Sequence, residues 1–332
     1  MNKVTLLLLS AGLLGCGTTP ASAQEHSHYP PATPAPVARP APAWKLAVMG
    51  QVFPILTLGE PFDPDASLHQ REVYLTQPAL MLDLAGPGRR FTLRTTLDFE
   101  QITQPDGEIT FGGWGEGFID RRHPHTVLHE FVASWNGQAD GGVLLSLTAG
   151  KGFAPYGTED PMGRPVAKFP TNHHLSQIPE RWTVNGIVAH PAGWSLEVGV
   201  FGGEEPHDAY DLGNIESFAD SWAARLIHRL GRGGERPWEL SASLAHLVEQ
   251  HGDTREETRL GNAFVRYGGG RLYGLVEASR SWGEDGDGYW ALLAETKVSA
   301  GAHEPYARME LATRPEMHRV GMPTSTDVLP RS

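Results

Sequence analysis

The chain has 332 residues, 40% hydrophobic and 20% charged, with a net charge of −12. Its apolar content excludes a disordered chain, the acidic balance without a basic stripe excludes a nucleic-acid partner, and no apolar run beyond the N-terminal segment reaches the ~18–20 residues of a membrane helix. The helical periodicity that a soluble cytosolic enzyme of this length would carry is scarce.

Lys3, the apolar run 4–15 and the small residues of Ala21-Ser22-Ala23 read as an export leader over 1–23, with Gln24 as the mature start. A second reading competes: Leu13-Leu14-Gly15-Cys16 resembles a lipobox and would make Cys16 a lipidated N-terminus, although Leu14 poorly matches the small residue usual there. Cys16 is the only cysteine, so a chain cut after Ala23 contains no disulfide. Residues 24–43 carry Pro30, Pro31, Pro34, Pro36, Pro40 and Pro42, which favour polyproline II and describe a periplasmic spacer.

From Trp44 onward the pattern is strand after strand. In 90–100, Phe91, Leu93, Thr95, Leu97 and Phe99 share one face, and Arg90, Arg94, Asp98 and Glu100 the other. Trp222, Ala224 and Leu226 oppose Arg225 and Arg229. Trp238, Leu240, Ala242 and Leu244 oppose Glu239, Ser241 and Ser243. Trp290, Leu292 and Ala294 oppose Glu295 and Lys297, and Ala307, Met309 and Leu311 oppose Tyr306, Arg308 and Glu310. A soluble sandwich alternates too. Three features favour a membrane barrel instead. Segments run about 10–13 residues, as tilted spanning strands need. Tryptophans stand at strand ends, opening strands at 44, 182, 194, 222, 238 and 290 and closing them at 135 and 282, as an interfacial girdle requires. Short turns (85–89, 137–141, 191–193, 231–235, 268–270, 299–304) alternate with long connections (57–70, 102–125, 151–181, 202–217, 249–256), as in an up-and-down barrel. About 13 strands are counted before Pro315, whereas such barrels normally hold an even number. The C-terminal stretch lacks a terminal aromatic residue, so one or more C-terminal strands are expected to be missing.

The segment 117–125, ending Asp120-Arg121-Arg122-His123-Pro124-His125, resembles the loop motif Asp-Arg-(Gln/Arg)-His-Pro-His of an uncharacterised family of porin-like outer-membrane β-barrel proteins. The resemblance continues through Leu128-His129-Glu130-Phe131, the Gly-Pro-rich stretch 161–165, His173-His174 and the turn 201–206, and covers most of 44–315. Arg122 and Thr126 depart from it. It implies a porin-like barrel with further strands beyond the present C-terminus.

His123, His125, His129, His173 and His174 are the candidate metal ligands, since imidazoles suit transition-metal ions. The competing reading has them hydrogen-bonding folded loops inside the pore. Ser134 with His129, or Ser243 with His246, are the pairs that a barrel lipase or esterase would need. The run 283–288 looks like a calcium loop without its closing glutamate.

These readings predict an antiparallel up-and-down transmembrane β-barrel over 44–332, natively of about 14–16 strands, lined by Arg90, Arg94, Asp98, Glu100, Arg225, Arg229, Glu239 and Arg308 and narrowed by the connection 151–181. The expected role is passive, non-enzymatic passage of small solutes or ions across the outer membrane without a cofactor. Its partners would be outer-membrane lipid and, in a homo-oligomer, further copies of the chain. The alternatives are a barrel that binds transition metal through loop histidines, or a barrel lipase.

Overall fold

The computed structural model describes residues 6–8, 44–58, 71–103, 108–111, 117–120, 126–158, 175–206, 208–213, 217–231, 237–251, 254–283 and 288–312. In chain order its strands are β1 (Leu6–Leu8), β2 (Lys45–Leu58), β3 (Arg71–Ala85), β4 (Phe91–Asp98), β5 (Glu108–Phe111), β6 (Gly117–Asp120), β7 (Leu128–Gln138) and β8 (Leu144–Gly152). They continue as β9 (Arg181–Ala189), β10 (Trp194–Phe201), β11 (Ser221–Leu230), β12 (Trp238–His251), β13 (Thr254–Gly269), β14 (Leu272–Gly283), β15 (Trp290–Val298) and β16 (Tyr306–Ala312). Thirteen of them, β2–β4 and β7–β16, form one antiparallel sheet in which neighbours along the chain are neighbours in space, save for the excursion through β5 and β6. This is an up-and-down β-barrel of the outer-membrane type. Thirteen equals the count made along the sequence. Among the described residues the wall ends at β2 on one side and β16 on the other, and β1, within the stretch read as the leader, runs along β16.

The face assignment explains the fold. On β10, Trp194, Leu196, Val198 and Val200 are 38–48% exposed, whereas Ser195, Glu197 and Phe201 are at most 2% exposed. The same inversion recurs on β11, with Trp222 and Leu226 outside and Ser221 and Arg225 inside, and on β12, with Leu240 and Leu244 outside and Glu239, Ser241 and Ser243 inside. Turning such residues to water would forfeit roughly 1.5–3 kcal/mol for each large apolar side chain. Turned to hydrocarbon they cost nothing, and the cross-strand ladder satisfies the backbone groups that lipid cannot.

The tryptophans among the described residues form two rows. Trp44, Trp135, Trp194 and Trp238 stand at the short-turn ends, and Trp182, Trp222, Trp282 and Trp290 at the ends that carry the long connections. At the turn end Trp194 stacks on His228 (3.7 Å between centroids) and Trp238 meets Tyr267 edge-on (4.8 Å). Along β11 the rows stand about eight residues apart, since Trp222 is at one end and Leu230 faces Trp238 at the other, or roughly 26 Å of strand. That suits a tilted strand crossing a hydrocarbon layer.

Three local readings are corrected. The strand expected over 90–100 is shorter at both ends. Arg90 sits exposed in the bend before β4, and Glu100 starts the short helix α1 (Glu100–Thr103) because its backbone N–H donates to the Asp98 carboxylate (2.8 Å) and turns the chain. The connection expected over 249–256 is instead strand on both sides, with β12 and β13 paired out to His251 and Thr254. The connection 102–125 contains a separate hairpin of β5 and β6.

The two rows make a prediction. In vesicles of brominated lipids, tryptophan fluorescence is quenched more by bromines near the glycerol than by bromines at chain ends. Maximal quenching at the chain ends would contradict two interfacial rows.

Candidate functional site in the barrel interior

The interior is built from the inward half of each strand together with the connection between β8 and β9. Two arms of that connection, 153–158 and 175–180, lie against each other inside the wall: Ala154 N–H donates to Ile178 O and Thr158 N–H to Ser176 O, both at 3.0 Å. Ala154, Tyr156 and Ile178 pack with the inward residues Phe201, Ala223, Ala245, Leu247 and Leu260 of β10–β13. Ala223 and Ala245 are small, which leaves room for the arms. The Tyr156 hydroxyl donates to Leu175 O (3.1 Å), and burial, followed by the nearby Glu277 carboxylate, pushes its phenol well above the usual tyrosine range.

Gly157 is the pivot. Its N–H donates to Ser243 Oγ (2.9 Å) and its carbonyl accepts from Arg225 Nη1 (2.7 Å). Its φ of 59° is a left-handed conformation that glycine adopts freely, and a Cβ there would fall on the Ser176 carbonyl oxygen. The arms are therefore fastened to β11 and β12 through a position that tolerates no side chain.

Around this anchor the wall carries paired charges. Arg225 donates through Nε to Glu197 Oε2 (2.9 Å). Glu239 takes Arg229 on one oxygen (2.8 Å) and Arg266 on the other (2.9 Å). Arg308 binds Glu295 (2.5 Å), Asn262 donates to Glu277 and Ser279 (both 2.8 Å), and Thr96 donates to Glu130 (3.2 Å). Arg94 lies 3.7 Å from Asp83. Buried charges persist only when paired and hydrogen-bonded, and this interior meets that requirement by strand register: Glu197 faces Arg225, Arg229 faces Glu239, Glu239 faces Arg266, and Glu295 faces Arg308.

Of the expected lining residues, Arg94, Asp98, Arg225, Arg229, Glu239 and Arg308 lie on the inward face, while Arg90 is exposed in its bend and Glu100 is buried in α1. Sequence reasoning passed over Glu197, Arg266 and Glu277 as lining residues. Their signal was present, because Glu197 alternates with Trp194, Leu196, Val198 and Val200. Gly157 carried no such signal, since its role appears only where Ser176, Ser243 and Arg225 converge.

Of the candidate metal ligands only His129 is described; His123, His125, His173 and His174 lie outside the described residues. His129 is 2% exposed, and its Nδ1 is 2.6 Å from Glu180 Oε1, which also accepts from the Thr126 backbone N–H (3.1 Å). It also meets the Phe153 ring edge-on (5.6 Å between centroids), so both of these partners belong to the β8–β9 connection, and beside it the chain meets the segment 208–213. There Val127 N–H donates to Ala209 O (2.7 Å), Trp182 Nε1 to Leu212 O (2.8 Å), and Lys151 Nζ to Asp211 O (3.3 Å). Among the described residues no group of three His, Cys, Asp or Glu side chains could hold a metal ion. The hydrolase pairs do not form: Ser134 and Ser243 face inward, whereas His129 and His246 are on the outward parity of their strands. Residues 284–287 of the calcium-like run lie outside the described residues.

No family model matches the chain, and no curated protein matches it. Among solved structures it is similar to the outer membrane channel DcaP of Acinetobacter baumannii (10% identity, 81% of this chain and 97% of that one, TM-score 0.37). It is also similar to a porin refined at 1.8 Å (8%, 81% and 98%, 0.38) and to an anion-selective porin from Comamonas acidovorans (11%, 81% and 98%, 0.37).

Removing one member of the Arg225–Glu197 pair takes from the other its buried partner of opposite charge. Arg225→Ala is expected to cost about 3–5 kcal/mol in urea unfolding from lipid vesicles, and adding Glu197→Ala to recover most of the loss. Simple additivity of the two losses would show that the pair is not coupled.

Proposed function

We propose that the chain is a porin-like channel of the bacterial outer membrane, passing small hydrophilic solutes or ions down their gradients through a lumen narrowed by the β8–β9 connection. The observation that carries this reading is the fastening of that connection inside the wall, at Gly157, to Ser243 and Arg225. A barrel serving only as a membrane anchor has no need of a connection folded inward onto a charged wall. The paired arginines and glutamates present fixed dipoles to a passing solute, so selectivity comes from width and charge rather than from a chemical step. The acidic balance of the chain suits a mild preference for cations. Lipid of the outer membrane surrounds the outward face, and association with further copies is compatible with it.

The test is single-channel recording in planar bilayers, with reversal potentials in a salt gradient. The wild-type protein should open in discrete steps with a weak cation preference. Gly157→Val, which forces the arms away from Ser176, should raise unit conductance severalfold. A folded barrel that never conducts would reject the proposal, and an unchanged conductance in Gly157→Val would reject the connection as the constriction.

A further inference from the structure

The outer face of β10–β15 is not uniformly convex. It holds an apolar depression of about 750 Å³. Its floor is made of small outward residues in cross-strand register, with Ala242 opposite Ala263 and Ala263 opposite Ala278. Leu196, Leu244 and Trp290 are among the larger side chains that border it.

The end nearest the long connections is cationic. Arg280 lines the depression and lies in the same cross-strand row as Gly261 and Trp290. Arg259 stands in the next row outward, opposite Trp282 on one side and His246 on the other. Both arginines are exposed, and among the described residues neither has a carboxylate partner. The nearby Glu257 is engaged by Arg255 (3.1 Å) and His246 (3.7 Å). The Arg280 guanidinium lies 5.2 Å from the centroid of the Trp282 ring. That ring in turn lies over Gly261, where an added Cβ would meet it at 2.9 Å. Trp282 therefore lies against Gly261 at the upper end of the depression, with one arginine over it and the other across the strand. Such a diagonal pair has Cα atoms roughly 7–8 Å apart, so two long side chains can close on one anion.

An unpaired arginine on the lipid face costs about 2–4 kcal/mol at mid-membrane and little at the interface. Two arginines with no carboxylate partner among the described residues, at the interface on either side of an indole and above a greasy groove, match the chemistry of a lipid that carries phosphate above its acyl chains. We propose that this face is a specific site for a phosphate-bearing lipid, the phosphate gripped by Arg259 and Arg280 and an acyl chain laid over Ala242, Ala263 and Ala278. The charge at the groove's upper end favours a lipid over a second copy of the chain, whose outward face would have to place a carboxylate there. The site belongs to the outside of the wall and stands whether or not the lumen conducts.

Native mass spectrometry of the full chain in a neutral detergent tests it, with dimyristoyl phosphatidic acid as the probe. One tight adduct per barrel is expected, unaffected by excess inorganic phosphate. Arg259→Gln with Arg280→Gln should weaken it roughly tenfold or more, and Ala263→Trp should do so by filling the groove with both arginines intact. Arg255→Gln, whose guanidinium pairs with Glu257, should leave it unchanged. Heat-modifiable gel migration verifies that each variant is folded. Equal binding by the double glutamine variant, displacement by inorganic phosphate, or a dimer of the chain abolished by Ala263→Trp in place of a lipid adduct would each overturn the proposal.

Discussion

Everything in this structure depends on an inversion of polarity: apolar side chains turn away from the protein and charged ones turn into it. A strand with two hydrogen-bonded neighbours has no choice about its backbone, and its side chains must alternate between two sides. When one side is hydrocarbon, the other has to take every charge the chain carries at that depth. Glu197 at 1% exposure beside Val198 at 47% would be an untenable arrangement in a water-soluble sheet. It is a stable one here because register brings Arg225 opposite Glu197 and puts nothing but lipid against Val198.

The same constraint shapes the interior. A lumen that is forced to be polar can be filled by polar partners or by chain. The wall between β10 and β13 does both. Toward the turn end its inward positions are Arg229, Glu239 and Arg266, locked to one another. Toward the other end they become Phe201, Ala223, Ala245, Leu247 and Leu260, an apolar recess that receives Tyr156 and Ile178 from the β8–β9 connection. Arg225 stands at the boundary and serves both, binding Glu197 in the wall and the Gly157 carbonyl of the inserted arm.

Much of this was legible in the amino-acid order because period-two alternation is a direct imprint of two media. The stretches 91–98 and 238–244 declare both faces, and the strand-end tryptophans mark both edges of the hydrocarbon. What was not legible has local causes. The charged run 249–256 resembles a loop, yet β12 reaches His251 and β13 begins at Thr254, because strands that outrun the membrane are wetted on both faces and lose their alternation. Glu100 keeps the parity of Arg94 and Asp98 in sequence, but a single hydrogen bond to Asp98 turns the chain before it. His129 is buried against Glu180 and Phe153, which the β8–β9 connection brings to it from far along the chain, and no local pattern records that.

The most direct test of the inversion is site-directed spin labelling along β10 in lipid vesicles, with Cys16 replaced and single cysteines placed at 194–200. Collision with oxygen, which concentrates in hydrocarbon, should rise at 194, 196, 198 and 200 and fall at 195, 197 and 199. The opposite phase, or uniformly low oxygen collision at all seven positions, would contradict a wall whose apolar face meets lipid.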